Sequence, residues 1–283
     1  MPQYSYLVGL PCRHLSKTRM AAMTPNVANS LRRMLVTAAL AALILPAFGQ
    51  SPGPAEVPDD PAARSILEKA DQIRFPQEGF QVEVAIVTTS DGKDPEERKY
   101  RVLAKGNENS IVMVIEPASE RGQIMLMKGR DLWIFLPSVS QPVRLSMSQR
   151  LTGQVANGDL ARSNFVGDYN PRLLRTDVLD GEKYHVLELT AVDRGVTYQR
   201  VVFWVRQSNS HPHKAEFYST SGRLLKTCLY QDFEKMAGKV RPTKLVMEDA
   251  LRQGEQSVLE YSAMKLRDLP DKVFTKDYLK RLE

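Results

Sequence analysis

His211 and His213 are the nearest this sequence comes to a metal-binding pair. Two imidazoles so close could share an ion if a third ligand joined them. Pro212 lies between them and Gln207-Ser208-Asn209-Ser210 precedes them, a composition that favours a turn. No third ligand is evident, so no metal site is expected. His185 sits in an alternating stretch and reads as a structural or surface residue. Cys228 reads as a small buried apolar residue, because a nucleophilic thiol would need a histidine partner and a lowered pKa. The sequence has no glycine-rich phosphate loop, zinc-protease helix, paired-cysteine zinc pattern or nucleophile elbow. Neither a catalytic residue nor a cofactor is expected.

The chemistry on offer is apolar contact. Ile111–Ile115, Ile124–Met127 and Leu132–Leu136 are continuous apolar runs. A strand with one face in water alternates, so these three must be covered on both faces. An N-terminal helix is one candidate cover, and a long flap or a ligand cavity is the other. Met113, Met125, Met127 and Met147 lie in this region, and methionine adapts to varied apolar shapes. Trp133 and Phe135 share one strand face, Met125 and Met127 another. These six residues are the candidates for lining a cavity; an ordinary two-sided core would show the same pattern.

The elements that must position them begin after a leader. Arg32–Gln50 reads RRMLVTAALAALILPAFGQ. Two arginines precede an apolar run from Met34 to Leu45, Pro46 breaks it, and Ala47-Phe48-Gly49 supplies a small-x-small site. That is the order of a secretory signal peptide. The run is too short for a bilayer, which takes ~20 apolar residues. The expectation is export to the periplasm with cleavage near Gln50. Residues 1–30 form an upstream extension, with Met20, Met23 and Met34 as alternative starts. No cysteine follows the run, which argues against a lipid anchor. Residues 1–49 hold five of the 39 Lys and Arg and no acid, so the remainder carries 34 bases against 33 acids, a net of +1. The basic balance is thus a targeting feature, and no nucleic acid partner is expected. Cys228 is the one cysteine after the leader, so no internal disulfide supports the domain.

Residues 50–60 are proline-rich and read as a flexible spacer, followed by one domain over 61–283. Asp60 is placed to cap a helix with Pro61 at its first position. Ile66, Leu67, Ala70 and Ile73 then recur at helical spacing, which predicts a helix over Pro61–Arg74. After Gly79 the period changes to two. Strands are predicted around Val82–Ile86 and at Arg98–Lys105, Ser110–Glu116, Gly122–Lys128 and Asp131–Leu136. Further strands are predicted at Leu173–Asp180, Tyr184–Val192, Thr197–Val205, His213–Thr220, Arg223–Phe233, Val240–Asp249 and Gln256–Arg267. Thr275–Leu282 reads as a short helix. Ser146–Pro171 has no clean period and predicts a mobile flap with a helical turn or two, since so long a connection is usually functional. Its apolar residues Leu151, Val155, Leu160 and Phe165 need a surface to cover, and Gly153, Gly158 and Gly167 are its candidate pivots.

The segments ARSILEKADQIRFP, RGQIMLMKGRDLWIFLPSVSQPVRLS, HPHKAEFYSTSGRLLKTCLYQDF and LPDKVFTKDYLKRL follow one another in an order and spacing that resembles the outer-membrane lipoprotein-sorting, or LolA-like, family. The resemblance covers about Ala62 to Leu282. It departs in the flap, where family members often carry a phrase like GSDFSYEDL and this chain reads GQVANGDLARSNF. The resemblance implies a mainly β fold: an unclosed antiparallel β-barrel of about eleven strands, with helices acting as a lid over an apolar cavity for acyl chains. It implies a carrier of lipoprotein or lipid cargo toward the outer membrane, with an inner-membrane transporter as donor and an outer-membrane acceptor. It implies no covalent chemistry, and a monomer is expected. One alternative is a lipid-sensing or transporter-accessory module of the same fold. Another is a lipid hydrolase, which lacks a visible nucleophile–base pair. A transmembrane barrel is a third; helical signals at both ends and charges on strand faces, at Arg101, Lys226 and Glu248, argue against it.

Overall fold

The chain divides into two units, Met1–Gly53 and Pro54–Glu283. The computed structural model describes residues 60–279 apart from Ser163, all in the second unit. The predicted leader, 1–49, and residues 50–59 of the predicted spacer lie outside the described residues.

Asp60 opens the described chain as an N-cap, its Oδ1 accepting the Ala63 N–H at 3.0 Å. Helix α1 (Pro61–Arg74) follows over the predicted residues, and Phe75, ahead of Pro76, ends it. Ala63, Leu67, Ala70, Asp71 and Arg74 form its buried stripe. Burying Leu67 alone is worth roughly 1.5–3 kcal/mol.

Six strands then meander: β1 (Phe80–Thr89), β2 (Glu96–Lys105), β3 (Asn109–Glu116), β4 (Ile124–Lys128), β5 (Asp131–Phe135) and β6 (Val143–Leu145). The predicted flap holds a small hairpin, β7 (Arg150–Thr152) with β8 (Val155–Ala156), and a short helix, α2 (Asn157–Ala161). Seven more strands return: β9 (Tyr169–Leu179), β10 (Glu182–Ala191), β11 (Arg200–Arg206), β12 (Pro212–Tyr218), β13 (Leu224–Met236), β14 (Lys239–Asp249) and β15 (Gln256–Leu266). A last short helix, α3 (Lys276–Leu279), ends the described chain.

Thirteen strands form one antiparallel sheet in the order β6-β5-β4-β3-β2-β1-β15-β14-β13-β12-β11-β10-β9. This is two more than the family resemblance implies. β6 and β9 do not pair, so the sheet stays open. The topology gives the flap its path. The first meander runs outward from β1 to one edge, and the second starts at the opposite edge and returns to pair β15 with β1. The link from β6 to β9 must therefore pass from one edge of the sheet to the other.

One core joins the inner sheet face, α1 and that link. Val82, Val84, Ile86, Met125, Met127, Leu187, Phe203, Tyr230 and Leu259 meet Leu67 and Ala70 of α1 and Val155, Leu160 and Phe165 of the flap. The outer face of β2–β5 has a different cover. Leu103, Ile111, Ile124 and Leu126 pack under Leu269, Val273, Phe274 and Leu279, with Met113, Phe135 and Tyr278 around them. The sequence reading is corrected here: α1 and the flap both lie inside, and the C-terminal segment covers the outer face. A second outer cluster, Tyr184, Val186, Val202 and Trp204, accounts for the apolar run in β11.

Candidate functional site beneath the flap

The concave face is where the apolar strands, α1 and the flap converge. Its charged residues sit under the flap, each held by named partners. Asp71 is 1% exposed. Its Oδ2 accepts the flap N–H groups of Phe165 and Val166, both at 2.7 Å. Its Oδ1 accepts from the Arg74 guanidinium one helical turn on, at 2.9 Å. Burial pushes the Asp71 carboxyl above its ordinary value, against the opposing pull of Arg74 and the two amides. The Arg74 guanidinium lies 4.0 Å from the Phe165 ring centre and 5.6 Å from that of Tyr230, so the flap aromatic stacks on a buried cation. Arg241 donates to the Gln72 and Ile73 carbonyls at 2.8 and 3.0 Å, closing the C-terminal end of α1.

A second clamp holds the middle of the flap. Lys226 Nζ donates to Asp159 Oδ2 and to the Gln154 carbonyl, both at 2.6 Å. The Tyr198 hydroxyl donates to Asp159 at 2.8 Å, and Asp159 Oδ2 also accepts the Ala156 N–H at 2.8 Å. Burial first, and then Asp159, push the Tyr198 hydroxyl well above its ordinary pKa, so it stays a proton donor. Both Lys226 and Asp159 are nearly closed to water, with side chains 5% and 7% exposed. A buried pair of this kind is costly to break, because either partner left alone is an unpaired charge in the core. Lys226 is thus not one of the solvent-facing strand charges the sequence suggested. It shares the inward face of β13 with Cys228 and Tyr230, at period two.

A third clamp closes the exit of the flap. Arg162 bonds to Asp168, to the Asn107 carbonyl and, at 2.8 Å, to the Gly129 carbonyl. These carbonyls lie in the β2–β3 and β4–β5 turns. The flap is therefore tied to α1, to β13 and to the far turns of the first meander by polar bonds. Its apolar side chains Val155, Leu160 and Phe165 are buried in the core, and Leu151 is half-buried against it.

The glycines fit this closed arrangement tightly. A Cβ on Gly158 would stand 2.0 Å from Thr197 Oγ1, and one on Gly153 2.3 Å from both Ser257 Oγ and Thr88 Oγ1. Gly153 and Gly167 also have positive φ, +48° and +86°.

The space left inside is small. The pocket bounded by Arg74, Asp159, Arg162, Phe165, Tyr230 and Met247 holds about 20 Å³. A pocket of about 200 Å³ lies under the start of the flap, with Val114, Met125, Ile134, Leu145 and Leu151 on its apolar side and Arg98, Glu120, Gln149 and Arg150 among its polar lining. Ligand pockets are usually roughly 300–1,000 Å³. Neither space takes a long acyl chain while the flap is down.

The six methionine and aromatic candidates divide between faces. Met125, Met127 and Met147 belong to the inner core, and Met125 lines the pocket under the flap. Met113 and Phe135 pack with the outer C-terminal cover, and Trp133 meets Lys276 Nζ 5.6 Å from its ring centre. Among the described residues no group of three His, Cys, Asp or Glu side chains could hold a metal. His211 stacks on Phe233 with ring centres 4.3 Å apart, and His213 packs at a tilt against Tyr184 at 4.7 Å. Cys228 is fully buried, and burial pushes its thiol up to about 12. No helix among the described residues is long and apolar enough to cross a membrane.

Sequence reasoning missed the clamps. The signal lay in α1, where Asp71 follows Leu67 and Arg74 follows Ala70 by one turn, on the buried stripe.

A family model described as an "Uncharacterized protein"-like family matches residues 106–281. The chain is similar to a LolA superfamily protein from Nitrosomonas europaea, at 68% identity and TM-score 0.74, over 76% of this chain and 98% of that one. A DUF1329 family protein from Desulfovibrio piger shares 24% identity, at TM-score 0.67 over 77% and 98% of the two chains. A domain from Vibrio parahaemolyticus, assigned as an outer membrane lipoprotein-sorting protein, shares 20%, at TM-score 0.67 over 78% and 99%. These last two likenesses are of fold. No curated protein matches the chain.

Proposed function

The chain belongs to the LolA superfamily, and from that premise we propose that it is an exported periplasmic carrier. It binds the acyl chains of a lipoprotein or lipid between the concave sheet face and the flap, performs no covalent chemistry, and passes its cargo toward the outer membrane. The observation that carries the reading is how the flap closes. It crosses from one open edge of the sheet to the other over an apolar face, and polar clamps at Asp71, Lys226 and Arg162 hold it there.

The physical chemistry suits a reversible cover. Each acyl methylene removed from water contributes ~0.8 kcal/mol. A chain of a dozen methylenes therefore offers of the order of 10 kcal/mol, enough to offset opening several buried polar contacts. Without cargo, the same contacts close the face against water. Protein purified from its native periplasm should carry lipid in stoichiometric amount, identified by mass spectrometry of the extract. A fluorescent fatty acid should bind the delipidated protein and be displaced by that lipid. Protein that is lipid-free as isolated and does not bind the probe would defeat the proposal.

A further inference from the structure

Arg150 lines the pocket under the flap, beside its apolar wall, and also a second pocket next to it. The second pocket holds about 280 Å³. It lies between the β7–β8 hairpin, the start of β13 and the turn from β14 to β15, and Arg150, Arg223, Arg252 and Lys226 line it. Lys226 is already neutralised by Asp159. Arg252 reaches Glu255 at 3.3 Å. Asp249 also lines the pocket, with its Oδ1 accepting the N–H groups of Leu251 and Arg252 at 2.7 and 3.1 Å. The guanidiniums of Arg150 and Arg223 make no hydrogen bond or ion pair with any described residue.

Arg150 and Arg223 thus line one pocket with guanidiniums that have no partner among the described residues. An oxyanion in that pocket would accept their paired N–H donors, a geometry arginine provides and lysine does not. We propose that Arg150 and Arg223 bind a phosphate-bearing group. The pocket adjoins the one under the flap across Arg150, which suits an amphiphile with its charged head at the arginines and its chain against Met125, Leu145 and Leu151. That second part rests on the carrier reading above; the anion site itself does not. Because Arg150 is on the flap and Arg223 on the sheet, the bound group would also bridge the two.

Calorimetry at low salt with three probes tests the site and its source: inorganic phosphate, dihexanoyl phosphatidylglycerol, and dihexanoylglycerol, which has the chains without the phosphate. The phosphatidylglycerol should bind about tenfold more tightly than dihexanoylglycerol. Arg150→Gln and Arg223→Gln should each remove most of that advantage, and Arg223→Gln, whose side chain lines only the second pocket, should leave dihexanoylglycerol binding unchanged. Both side chains are exposed and unpartnered, so the variants should melt with the wild type. Inorganic phosphate binding as tightly as the lipid would identify free phosphate as the ligand, and much weaker phosphate binding would identify the headgroup. Equal affinity for both lipids, insensitive to either variant and without phosphate binding, overturns the anion site but leaves the carrier reading standing. Phosphate binding that both variants abolish, with neither lipid bound, keeps the anion site and overturns the carrier. No binding of any probe overturns both.

Discussion

Asp71 draws two flap amides and one guanidinium onto a single carboxylate inside the core. Asp71→Asn leaves Arg74 buried without a counter-charge, which costs about 3–5 kcal/mol. Urea unfolding should show a loss in that range, and Asp71→Asn with Arg74→Met should recover about half of it, since the apolar replacement strands no charge. A double variant no more stable than the single one would mean that Arg74 contributes through stacking on Phe165, not through the pair. The histidines give a second test at this scale. Burial first, and then Arg206, hold His211 and His213 below the usual 6.5. Between those lowered values and 6.5 the unfolded chain binds more protons. The stability they contribute is therefore present above pH ~6.5 and lost as the pH falls through the folded-state values. NMR titration of the ring protons should place both midpoints below 6.5, and Arg206→Gln should raise both without restoring 6.5, because burial remains. Midpoints unmoved by that substitution would remove Arg206 as a cause. Neither test was suggested by the sequence, where His211 and His213 read as part of a turn and Asp71 was not singled out.

Among the elements, α1 was legible because Asp60, Pro61 and the apolar stripe are all local signals, and its bounds match the structure. The long strands were legible because they alternate or run fully apolar. The hairpin inside the flap was not, since β7 and β8 have three and two residues, too few to show a period of two. The flap's structure comes from long-range bonds, such as Lys226 to Asp159 across 67 positions, which no local pattern reveals. The outer cover was missed for the same reason, because Phe274 meets Ile111 and Leu126 only once the sheet has formed. The flap's glycines carry a prediction about this element. Gly158→Ala places a methyl 2.0 Å from Thr197 Oγ1 and 3.0 Å from its Cβ, so either the flap or the β10–β11 loop must shift. The flap hairpin stands outside the thirteen-stranded sheet, so it is expected to open before the paired strands. Hydrogen exchange should show the amides of 150–162 losing at least about tenfold protection, a local cost of ~1.4 kcal/mol, while β1 and β13 amides stay protected. Thr197→Ala in the same chain should return most of it. Uniform loss across the sheet would mean that flap and sheet open as one unit.

For the whole molecule, the decisive feature is that one sheet carries two different apolar faces. The inner face closes under α1 and the flap, and the outer face of β2–β5 closes under residues 269–279. The sequence shows only that Met125 and Phe135 both lie in two-sided runs; the pairing of Ile124 with Phe135 and of Met125 with Ile134 assigns them to opposite sides. A carrier that works from the concave face should therefore respond to the two positions differently. Met125→Glu sets a carboxylate in the pocket under the flap, where desolvation costs several kcal/mol and apolar cargo is repelled. Phe135→Glu disturbs the outer cover and leaves the concave face alone. Titration with a fluorescent fatty acid should show binding weakened at least about tenfold by the first substitution, and within about twofold of wild type for the second. The second should instead free the C-terminal segment, seen as faster exchange or proteolysis near Phe274. Circular dichroism must first show the Met125→Glu protein folded, and Met125→Gln, which places no charge in the core, repeats the test if it is not. Equal weakening by the two substitutions would put cargo on both faces. Weakening by Phe135→Glu alone would move the binding surface to the outer face, and the flap would then be a structural strap across the inner one.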